Sequence, residues 1–422
     1  MTDAVRRETT LHLLLTRPGG AEVACRTLTV DHPVYYGEHV LEAARAVGVE
    51  GWLGRRLAFT GHGTGEDGVT RATCAWQLFT PDLTGAAPGP DELRELADAA
   101  RASTRTPWFG PHWHADALSW LDDELAAQDR PRLGTPVVLK HWQISLLWRV
   151  PTQGGDVYFK AVPDFFAREV TVTCALSGVP GAAPPVLAAD TRRGLLLLDG
   201  CGEAGGDPAA VLRQLARVQR ATLPLLPELN LRDRGPAYLL ARLDALFSDA
   251  SLHADEHGPH PDALTPEEAA TLRARRPELE AALERLRASP IPLTLGHGDL
   301  HSGNVTTRGK QVTLLDWSDA SLTHPFLDAN PAYLCPDGTD PVTLDAARDA
   351  YLREWTDLAP PDDLRALHAD AMLAGEVYRA LGYFDGIQGA VEDRREWAGA
   401  HLWHLRRLRH ALMNRLPPPP CP

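Results

Sequence analysis

Apolar positions occur in short runs along the first 200 residues and at helical spacing along the last part of the chain. Short apolar runs bounded by Gly, Pro or Asp are typical of strands, whereas apolar residues about three to four apart are typical of helices. Residues 341–415 carry the helical spacing. Pro277 is expected to end the helix that starts at the capping box of Thr265. The chain is therefore predicted to begin with strands and to end with helices.

Residues 1–130 are predicted to form an additional α+β domain. Residues 11–15, 21–30 and 70–79 have the pattern of strands, and residues 38–47 have the spacing of a helix. This order is similar to a Nudix-like domain. A Nudix signature needs a dense set of glutamates, however, and the helical segment offers only Glu38 and Glu42 in the neighbourhood of its glycines. Pyrophosphate hydrolysis is therefore not assigned, and the function of this domain stays open.

Residues 63–68 match the pattern G-x-G-x-x-G, which in dinucleotide-binding proteins cradles a pyrophosphate at a helix N-terminus. Here a strand follows instead of a helix, and Glu66 and Asp67 would repel phosphates. The segment is predicted to be a hairpin turn or a mobile loop.

A Pro- and Gly-rich linker at residues 129–136 separates this domain from the next three strands. Residues 137–142, 146–150 and 157–162 are β-favouring, and the Gly154-Gly155 pair marks a turn before the last of them. The pattern predicts an antiparallel meander that extends through further strands to residue 200.

The residues with the clearest chemistry lie at His297-Gly298-Asp299-Leu300-His301-Ser302-Gly303-Asn304 and at Leu315-Asp316-Trp317. An Asp followed five residues later by an Asn, and then by a second Asp after a short apolar run, is the spacing of a phosphoryl-transfer site. Carboxylate and amide oxygens are the ligands that Mg²⁺ prefers. A His and two Asp in an ordinary loop is the alternative interpretation.

This stretch resembles the aminoglycoside/choline phosphotransferase family, whose motif reads H-G-D-L-H-x-x-N followed by I-D-W. The resemblance implies a two-lobed protein-kinase-like α+β fold. Residues 131–200 would form an antiparallel β N-lobe, and residues 201–415 a mostly helical C-lobe with the catalytic loop and the acceptor pocket. It also implies an ATP- and Mg²⁺-dependent phosphotransferase that acts on a hydroxyl of a small molecule.

Each family role falls on a particular residue of this chain. Asp299 would orient and deprotonate the acceptor hydroxyl, and Asn304 and Asp316 would hold Mg²⁺. Lys160, in the strand Val157 to Val162, would contact the α- and β-phosphates of ATP. Its alternative is a surface lysine with a buried stem.

Five further residues have expected roles beside these. Glu169, on the next helix, would hold Lys160, unless it is a solvated helix acid. The turn that should cover the phosphates, near residues 143–145, has no glycine, so Ser145 is the only polar contact predicted there. Asp328 would brace the catalytic loop from the start of a helix. His297 would support the loop by packing, whereas His301 would either lie near the acceptor or fill the loop.

Four acids of the C-lobe could meet a cationic acceptor or could instead belong to solvated helix faces, which is the favoured interpretation. These are Glu376, Asp385, Glu392 and Asp393.

The composition limits the partners and the compartment. A net charge of −14 disfavours nucleic acid, because phosphate contacts need a basic surface. No apolar run approaches the length of about 18 residues that spans a bilayer, and no signal peptide is predicted. The six cysteines form no C-x-x-C pair, which fits a reducing cytoplasm. Residues 416–422 are predicted to be a disordered tail.

The alternative function is a catalytically silent nucleotide-binding regulatory module of the same fold. The glycine-free turn and the additional domain both permit it, whereas the joint presence of Lys160, Asp299, Asn304 and Asp316 argues for an enzyme. The sequence does not determine the acceptor, the choice between ATP and GTP, the role of residues 1–130 or the oligomeric state.

Overall fold

The chain packs as two compact units in a computed structural model of the full sequence. The first unit comprises residues 1–164 and 193–198, and the second comprises residues 165–192 and 199–422. The tail predicted at residues 416–422 lies outside the described residues, as do the first two residues of the strand predicted from residue 21. The structure describes residues 6–18, 23–32, 34, 37–88, 90–102, 105–253 and 263–414.

The first half of the chain is mainly β-structure. Its elements are β1 (Arg6–Thr16), β2 (Val23–Val30), α1 (Gly37–Ala46), β3 (Trp52–Thr64), β4 (Val69–Phe79), β5 (Ala87–Pro88), α2 (Asp91–Ala102), α3 (Trp113–Ala127), β6 (Val137–His141), β7 (Leu146–Thr152), β8 (Gly155–Ala161), α4 (Arg168–Leu176), β9 (Val186–Asp190), β10 (Leu195–Asp199) and β11 (Glu203–Ala204).

The second half is mainly helical. Its elements are α5 (Pro208–Ala221), β12 (Arg232–Asp233), α6 (Pro236–Leu246), α7 (Asp249–His253), α8 (Pro266–Ala288), β13 (Thr294–Gly296), β14 (Val305–Arg308), β15 (Gln311–Leu314), β16 (Ser321–Thr323), α9 (Pro341–Leu352), α10 (Pro361–Leu381), α11 (Gln388–Ala390) and α12 (Ala400–Asn414). A π-helical turn, Gly382–Ile387, follows α10 directly.

A five-stranded sheet forms the first part of unit 1, in the order β3-β4-β1-β2-β5. Strands β1 and β4 are parallel, and the other neighbours are antiparallel. The G-x-G-x-x-G segment is the turn between β3 and β4, where the Gly65 N–H donates to the Val69 carbonyl at 3.0 Å. The predicted hairpin turn at this position is therefore confirmed.

A second sheet follows in the same unit. Strands β6, β7 and β8 form an antiparallel meander, and β10 lies beside β8. Together with the mostly helical second unit, this confirms the predicted α+β class with an antiparallel β N-lobe and a helical C-lobe.

Aromatic side chains join the two sheets of unit 1. The ring of Trp52 lies 5.2 Å from Trp148, and Trp108 Nε1 donates to the Trp142 carbonyl at 2.9 Å. His141 Nε2 lies 2.9 Å from the Leu53 carbonyl. Residues on both sides of the predicted linker thus share one compact unit, and a functional domain boundary at residue 130 stays a prediction.

Two small sheets in unit 2 frame the loops that carry the predicted chemistry. One has the order β11-β14-β15 and the other β12-β16-β13. Gly296 pairs with Ser321, and Val305 pairs with Leu314. The ends of the 297–304 loop are therefore held beside the ends of the 315–320 segment.

The helices of unit 2 pack around a large apolar cluster that includes Trp317, Phe326, Tyr351 and Trp355. Among the described residues, no helix is both long enough and apolar enough to cross a bilayer.

Helix α8 contradicts the prediction that Pro277 ends a helix, because it runs through that residue to Ala288. The capping box at Thr265 is present as predicted. Leu279, Leu283 and Leu286 of the second half are buried in the apolar cluster. Their burial offsets the backbone hydrogen bond that proline cannot donate.

We predict that Pro277→Ala stabilises the protein. Alanine restores the missing N–H in the helix interior, where proline costs about 3 kcal/mol, and part of this gain is lost to the greater freedom of the unfolded chain. The expected net effect is about 1–2 kcal/mol, measured as a higher thermal midpoint of unit 2. Pro266→Ala, at the first position of the same helix, is the matched control and should not raise the midpoint. An unchanged midpoint for Pro277→Ala would contradict the packing argument.

Candidate active site

A buried carboxylate fixes the start of the 297–304 loop. Asp328 Oδ2 accepts a hydrogen bond from the His297 N–H at 2.6 Å, and Oδ1 accepts one from the Gly298 N–H at 3.0 Å. Asp328 is 2% exposed and lies at the end of the short 3₁₀ helix Pro325–Asp328. The predicted bracing contact is present, although Asp328 does not start a helix.

His297 is fully buried and holds the two loops together. Its Nε2 lies 2.8 Å from the Leu315 carbonyl, and its ring packs 4.7 Å from the Trp317 ring. Burial lowers the pKa of His297 below its ordinary value, which keeps the ring neutral. With Nε2 as the donor, Nδ1 can accept the Asp299 N–H at 3.4 Å. This supports the predicted packing role for His297.

Gly298 is required by the close approach of the two loops. Its φ of +88° lies in the left-handed region, and a Cβ at this position would be 2.5 Å from Asp319 Cβ. Any side chain at residue 298 would therefore push the loop away from Asp319.

One carboxylate oxygen of Asp299 accepts a close hydrogen bond, and the other does not. Arg379 Nη1 donates to Asp299 Oδ1 at 2.6 Å, and His301 Nε2 lies 3.6 Å from Oδ2. Burial raises the pKa of Asp299, but His301 and the Arg379 charge outweigh this effect, so the pKa lies below its ordinary value. Its side chain is 38% exposed, so an ionised carboxylate is accessible at the centre of the loop.

Arg379 of α10 is itself rigidly placed. Nη2 donates to the Leu300 carbonyl at 2.6 Å, and the guanidinium carbon lies 3.9 Å from the centre of the Tyr333 ring. Tyr333 in turn donates to Glu376 Oε2 at 2.8 Å. The side chain of Arg379 is only 5% exposed, so this network fixes where Asp299 points.

Asn304 is 5% exposed and uses its amide nitrogen inside the protein. Nδ2 donates to the Asp299 carbonyl at 3.0 Å, and the Leu315 N–H donates to the Asn304 carbonyl at 2.9 Å. The atom that Asn304 can offer to a cation is therefore its side-chain oxygen.

Asp316 follows β15 by two residues and has a φ of +64°. Non-glycine residues in the left-handed region are uncommon and cost about 1–3 kcal/mol, and they cluster at functional sites. The next residue, Trp317, is fully buried, and its Nε1 donates to the Ala182 carbonyl at 2.7 Å. This anchor fixes the turn and leaves the Asp316 side chain half-buried.

Negative charge accumulates at the site. Burial raises the pKa of Asp319 to about 7, and the charges of Asp299 and Asp316 add to the shift, although Arg234 opposes it. The charges of Asp299 and Asp316 thus act on Asp319, and a divalent cation would relieve the repulsion between these carboxylates. The donor set of one amide oxygen and nearby carboxylates fits Mg²⁺, which takes one or two carboxylates and keeps several waters. In the described part of the chain, no three His, Cys, Asp or Glu residues form a metal-binding group.

The predicted nucleotide contacts are distributed over both units. Lys160 lies on β8 and is buried, and Ser145 lies in the β6–β7 turn, where its carbonyl accepts the Trp142 N–H at 2.9 Å. Glu169 lies in the first turn of α4 in the second unit and is also buried. A solvated helix acid at 169 and a surface lysine at 160 are both inconsistent with this burial. The pairing of Lys160 with Glu169 stays a prediction.

The helical pattern predicted a solvated position for the four candidate acceptor acids, and this prediction is wrong for Glu376. Glu376 is 4% exposed, and it bonds His404 and Arg407 besides Tyr333, so it does not belong to a solvated face. Asp385 accepts hydrogen bonds from Tyr238 at 2.6 Å and from Arg242 at 2.6 and 2.8 Å.

The sequence reasoning missed Arg379 and Asp319. Arg379 stands 80 residues after Asp299 in an ordinary helical pattern. Its residue type, arginine, was the only sequence signal that it could contact an aspartate of the site. Asp319 stands three residues after Asp316, and this short spacing was a signal that could have been used.

The site lies within a segment that matches a known family. Residues 167–369 match the model of the phosphotransferase enzyme family. The predicted resemblance is confirmed. The phosphotransferase segment contains Glu169, Asp299, Asn304, Asp316 and Asp328, whereas Lys160, Ser145 and Arg379 lie outside it. A search of curated proteins gave no significant match.

Three of the solved structures that are similar to this chain are named as kinases or phosphotransferases. An ethanolamine kinase of Plasmodium vivax is 13% identical, with a TM-score of 0.49 over 75% of this chain and 93% of that chain. A choline/ethanolamine kinase family protein from Mesorhizobium loti is 16% identical, with a TM-score of 0.46 over 70% and 98%. A macrolide 2'-phosphotransferase from Brachybacterium faecium is 19% identical, with a TM-score of 0.46 over 67% and 98%. At these values the similarities carry no argument about the acceptor.

We predict that Asp328→Asn loosens the loop. One carboxylate oxygen becomes an N–H₂ group that faces a backbone N–H, and a buried unsatisfied donor costs about 1–3 kcal/mol. Hydrogen exchange should accelerate at the amides of His297 and Gly298, together with a lower thermal midpoint.

Asp340→Asn is the matched control, because Asp340 caps α9 through the Thr343 N–H and asparagine caps helices equally well. Slow exchange at His297 and Gly298 in Asp328→Asn would show that the loop does not depend on this carboxylate.

Proposed function

We propose that the protein transfers the γ-phosphoryl group of ATP to a hydroxyl of a small-molecule acceptor. The observation that carries this proposal is the ionised, accessible Asp299 carboxylate on a loop whose neighbours offer oxygen ligands to Mg²⁺. In the transfer, the acceptor oxygen forms a bond to the γ-phosphorus, and the bond to the bridging oxygen of ADP breaks. The proton of the hydroxyl passes to Asp299.

Asp299 is suited to this role because only one of its oxygens is bound firmly. Arg379 occupies Oδ1 and fixes the carboxylate plane, so Oδ2 is the atom that would accept the hydroxyl hydrogen bond. The lowered pKa of Asp299 makes it a weak base, so its main contribution is to orient the hydroxyl rather than to remove its proton early.

Asn304 and Asp316 would hold Mg²⁺, which when bound neutralises charge on the phosphates. Asn304 would present its side-chain oxygen, since its nitrogen donates to the Asp299 carbonyl. Asp316 would present a carboxylate from a left-handed backbone conformation, which is uncommon for non-glycine residues and is enriched at functional sites.

Lys160 would neutralise the α- and β-phosphates, and Glu169 would orient it. Both side chains are buried, and a buried charge requires a partner. Ser145 would donate its hydroxyl to a phosphate oxygen in place of the backbone amides of a glycine-rich turn.

The second candidate function is a silent nucleotide-binding module. The glycine-free β6–β7 turn favours it, because it removes the flexible cover that most kinase folds place over the phosphates. ADP release on a panel of alcohols, combined with a thermal shift by Mg-ATP, separates the two. A shift without turnover on any alcohol would favour the module.

We predict that Asp299→Asn reduces turnover about 10²–10⁴-fold, the usual contribution of a positioned general base. The thermal shift caused by Mg-ATP should be retained, because the substitution leaves the nucleotide contacts in place. Asp337→Asn, an exposed acid on the surface of the same unit, is the control. Full turnover in Asp299→Asn would remove this residue from the mechanism.

Arg379→Gln tests the positioning of Asp299. Loss of the hydrogen bond to Oδ1 should lower kcat about 10–100-fold, because misplacement of a catalytic group by about 1 Å has effects of this size. Loss of the guanidinium charge should also raise the pKa of Asp299, so the acidic limb of the kcat/KM profile should move to higher pH.

Arg407→Gln is the matched control for this experiment, since Arg407 packs against Tyr333 and bonds Glu376 but does not contact Asp299. Its acidic limb should stay at the wild-type position. A purely structural role for Arg379 would lower stability in both variants and leave both limbs unchanged.

A further inference from the structure

Arg379 has two carboxylates nearby and is paired with only one of them. Glu376 stands three residues before Arg379 on α10, so the two side chains lie on the same face of the helix. Burial acts to lower the pKa of Arg379, but nearby negative charges, including those of Asp299 and Glu376, raise it overall. In the described part of the chain, Asp299 is nevertheless the only carboxylate within ion-pair distance of Arg379.

The contacts of Glu376 explain why it does not compete for this arginine. Its Oε2 accepts the Tyr333 hydroxyl at 2.8 Å and lies 2.9 Å from His404 Nδ1, and its Oε1 accepts Arg407 Nε at 3.1 Å. Burial raises the pKa of Glu376, but the contacts with His404, Tyr333 and Arg407 outweigh this effect, so the pKa lies below its ordinary value. The carboxylate is therefore ionised, and each of its oxygens already has a donor.

His404 of α12 is one of these donors. Its ring is buried, nearly parallel to the Tyr383 ring at 5.7 Å and nearly perpendicular to the Trp403 ring at 4.8 Å. Burial lowers the pKa of His404 and Glu376 opposes only part of this effect, so the ring is neutral and carries one N–H. Because an ionised carboxylate can only accept, this N–H lies on Nδ1 and donates to Glu376 Oε2.

Tyr333 brings Glu376 Oε2 close to Arg379. The Tyr333 hydroxyl bonds Oε2, while the guanidinium carbon of Arg379 lies 3.9 Å from the centre of the Tyr333 ring. A tyrosine hydroxyl has one hydrogen to donate, so a second hydrogen bond to Oε2 has to come from another residue. In the structure it comes from His404. Without that donor, a buried carboxylate oxygen would keep a free acceptor position near a cation, which favours a new pair with it.

We propose that His404 is a positioning residue that reserves Arg379 for Asp299 by occupying Glu376 Oε2. The inference rests on the proposed function and extends the support of its site to the last helix. His404 touches neither substrate nor reacting atoms and acts through Glu376 and Arg379. These three residues lie after residue 369, outside the segment that matches the phosphotransferase family.

The crystal structure of the full chain with His404→Leu tests this arrangement without any turnover. Leucine removes the Nδ1 donor, so the Arg379 guanidinium is expected to leave Asp299 Oδ1 and to bond Glu376 Oε2. His404→Asn places an amide N–H₂ group near the position of Nδ1, so Arg379 is expected to stay at Asp299. The inference is overturned if Arg379 still bonds Asp299 Oδ1 in His404→Leu.

His401→Leu is the matched control on the same helix. His401 is also buried, with Nε2 2.9 Å from the Ser251 carbonyl and Nδ1 2.9 Å from Gln388 Nε2. Its loss should lower the thermal midpoint and leave Arg379 at Asp299. An equal displacement of Arg379 in this control would show a general loosening of α12 and would also overturn the inference.

Tyr333→Phe provides the same test if His404→Leu does not fold. Phenylalanine removes the other donor to Glu376 Oε2 and keeps an aromatic ring beneath Arg379. Arg379 is again expected to turn toward Glu376, and an unmoved Arg379 counts against the inference.

Turnover supplies a second readout, measured as ADP release on the panel of alcohols. His404→Leu should lower kcat about tenfold or more with an unchanged KM for ATP, as expected when a catalytic group is misplaced by about 1 Å. Adding Glu376→Gln should restore most of kcat, because a neutral amide does not compete for the guanidinium. A purely structural role predicts that the double variant is at least as impaired as His404→Leu, and this result would overturn the inference.

The two readouts separate this inference from the proposed activity. Displacement of Arg379 in His404→Leu, without ADP release on any alcohol by the wild type, would support the positioning role and count against the activity. ADP release by the wild type, with Arg379 unmoved in His404→Leu, would support the activity and overturn the positioning role.

Discussion

The site depends on one buried carboxylate that accepts two backbone N–H groups. Asp328 binds the amides of His297 and Gly298, and so places the start of the loop against the apolar cluster of unit 2. A buried carboxylate is tolerated only when it is hydrogen-bonded, and buried amides require acceptors in the same way. Because the carboxylate and the two amides satisfy each other's hydrogen bonds, the loop has one favourable position. Asp299, the next residue, is therefore held in a fixed place.

The second constraint is electrostatic. The charges of Asp299 and Asp316 raise the pKa of Asp319, so the fold must supply positive charge near these carboxylates. Arg379 supplies part of it from α10 and links the C-lobe helices to the loop.

The strand pattern predicted β6, β7 and β8 to within a few residues, because their alternation and turn residues agree with the pairing that forms. The prediction failed at Pro277, where a local rule was outweighed by burial of the leucines that follow in α8. The prediction that Glu376 belongs to a solvated helix face failed for a related reason. A helical pattern shows which positions can share a face, but not which neighbour covers that face.

The sequence by itself identified the candidate site, since the residues from His297 to Asn304 and Asp316 are recognised by their spacing along a short piece of chain. It also determined the two predicted lobes, because periodicity is a local property. Only the tertiary structure decided that Arg379 meets Asp299 across 80 residues, and that Asp328 accepts the amides of His297 and Gly298. These contacts join elements that are remote in the chain, and they follow from how the helices pack around a common core.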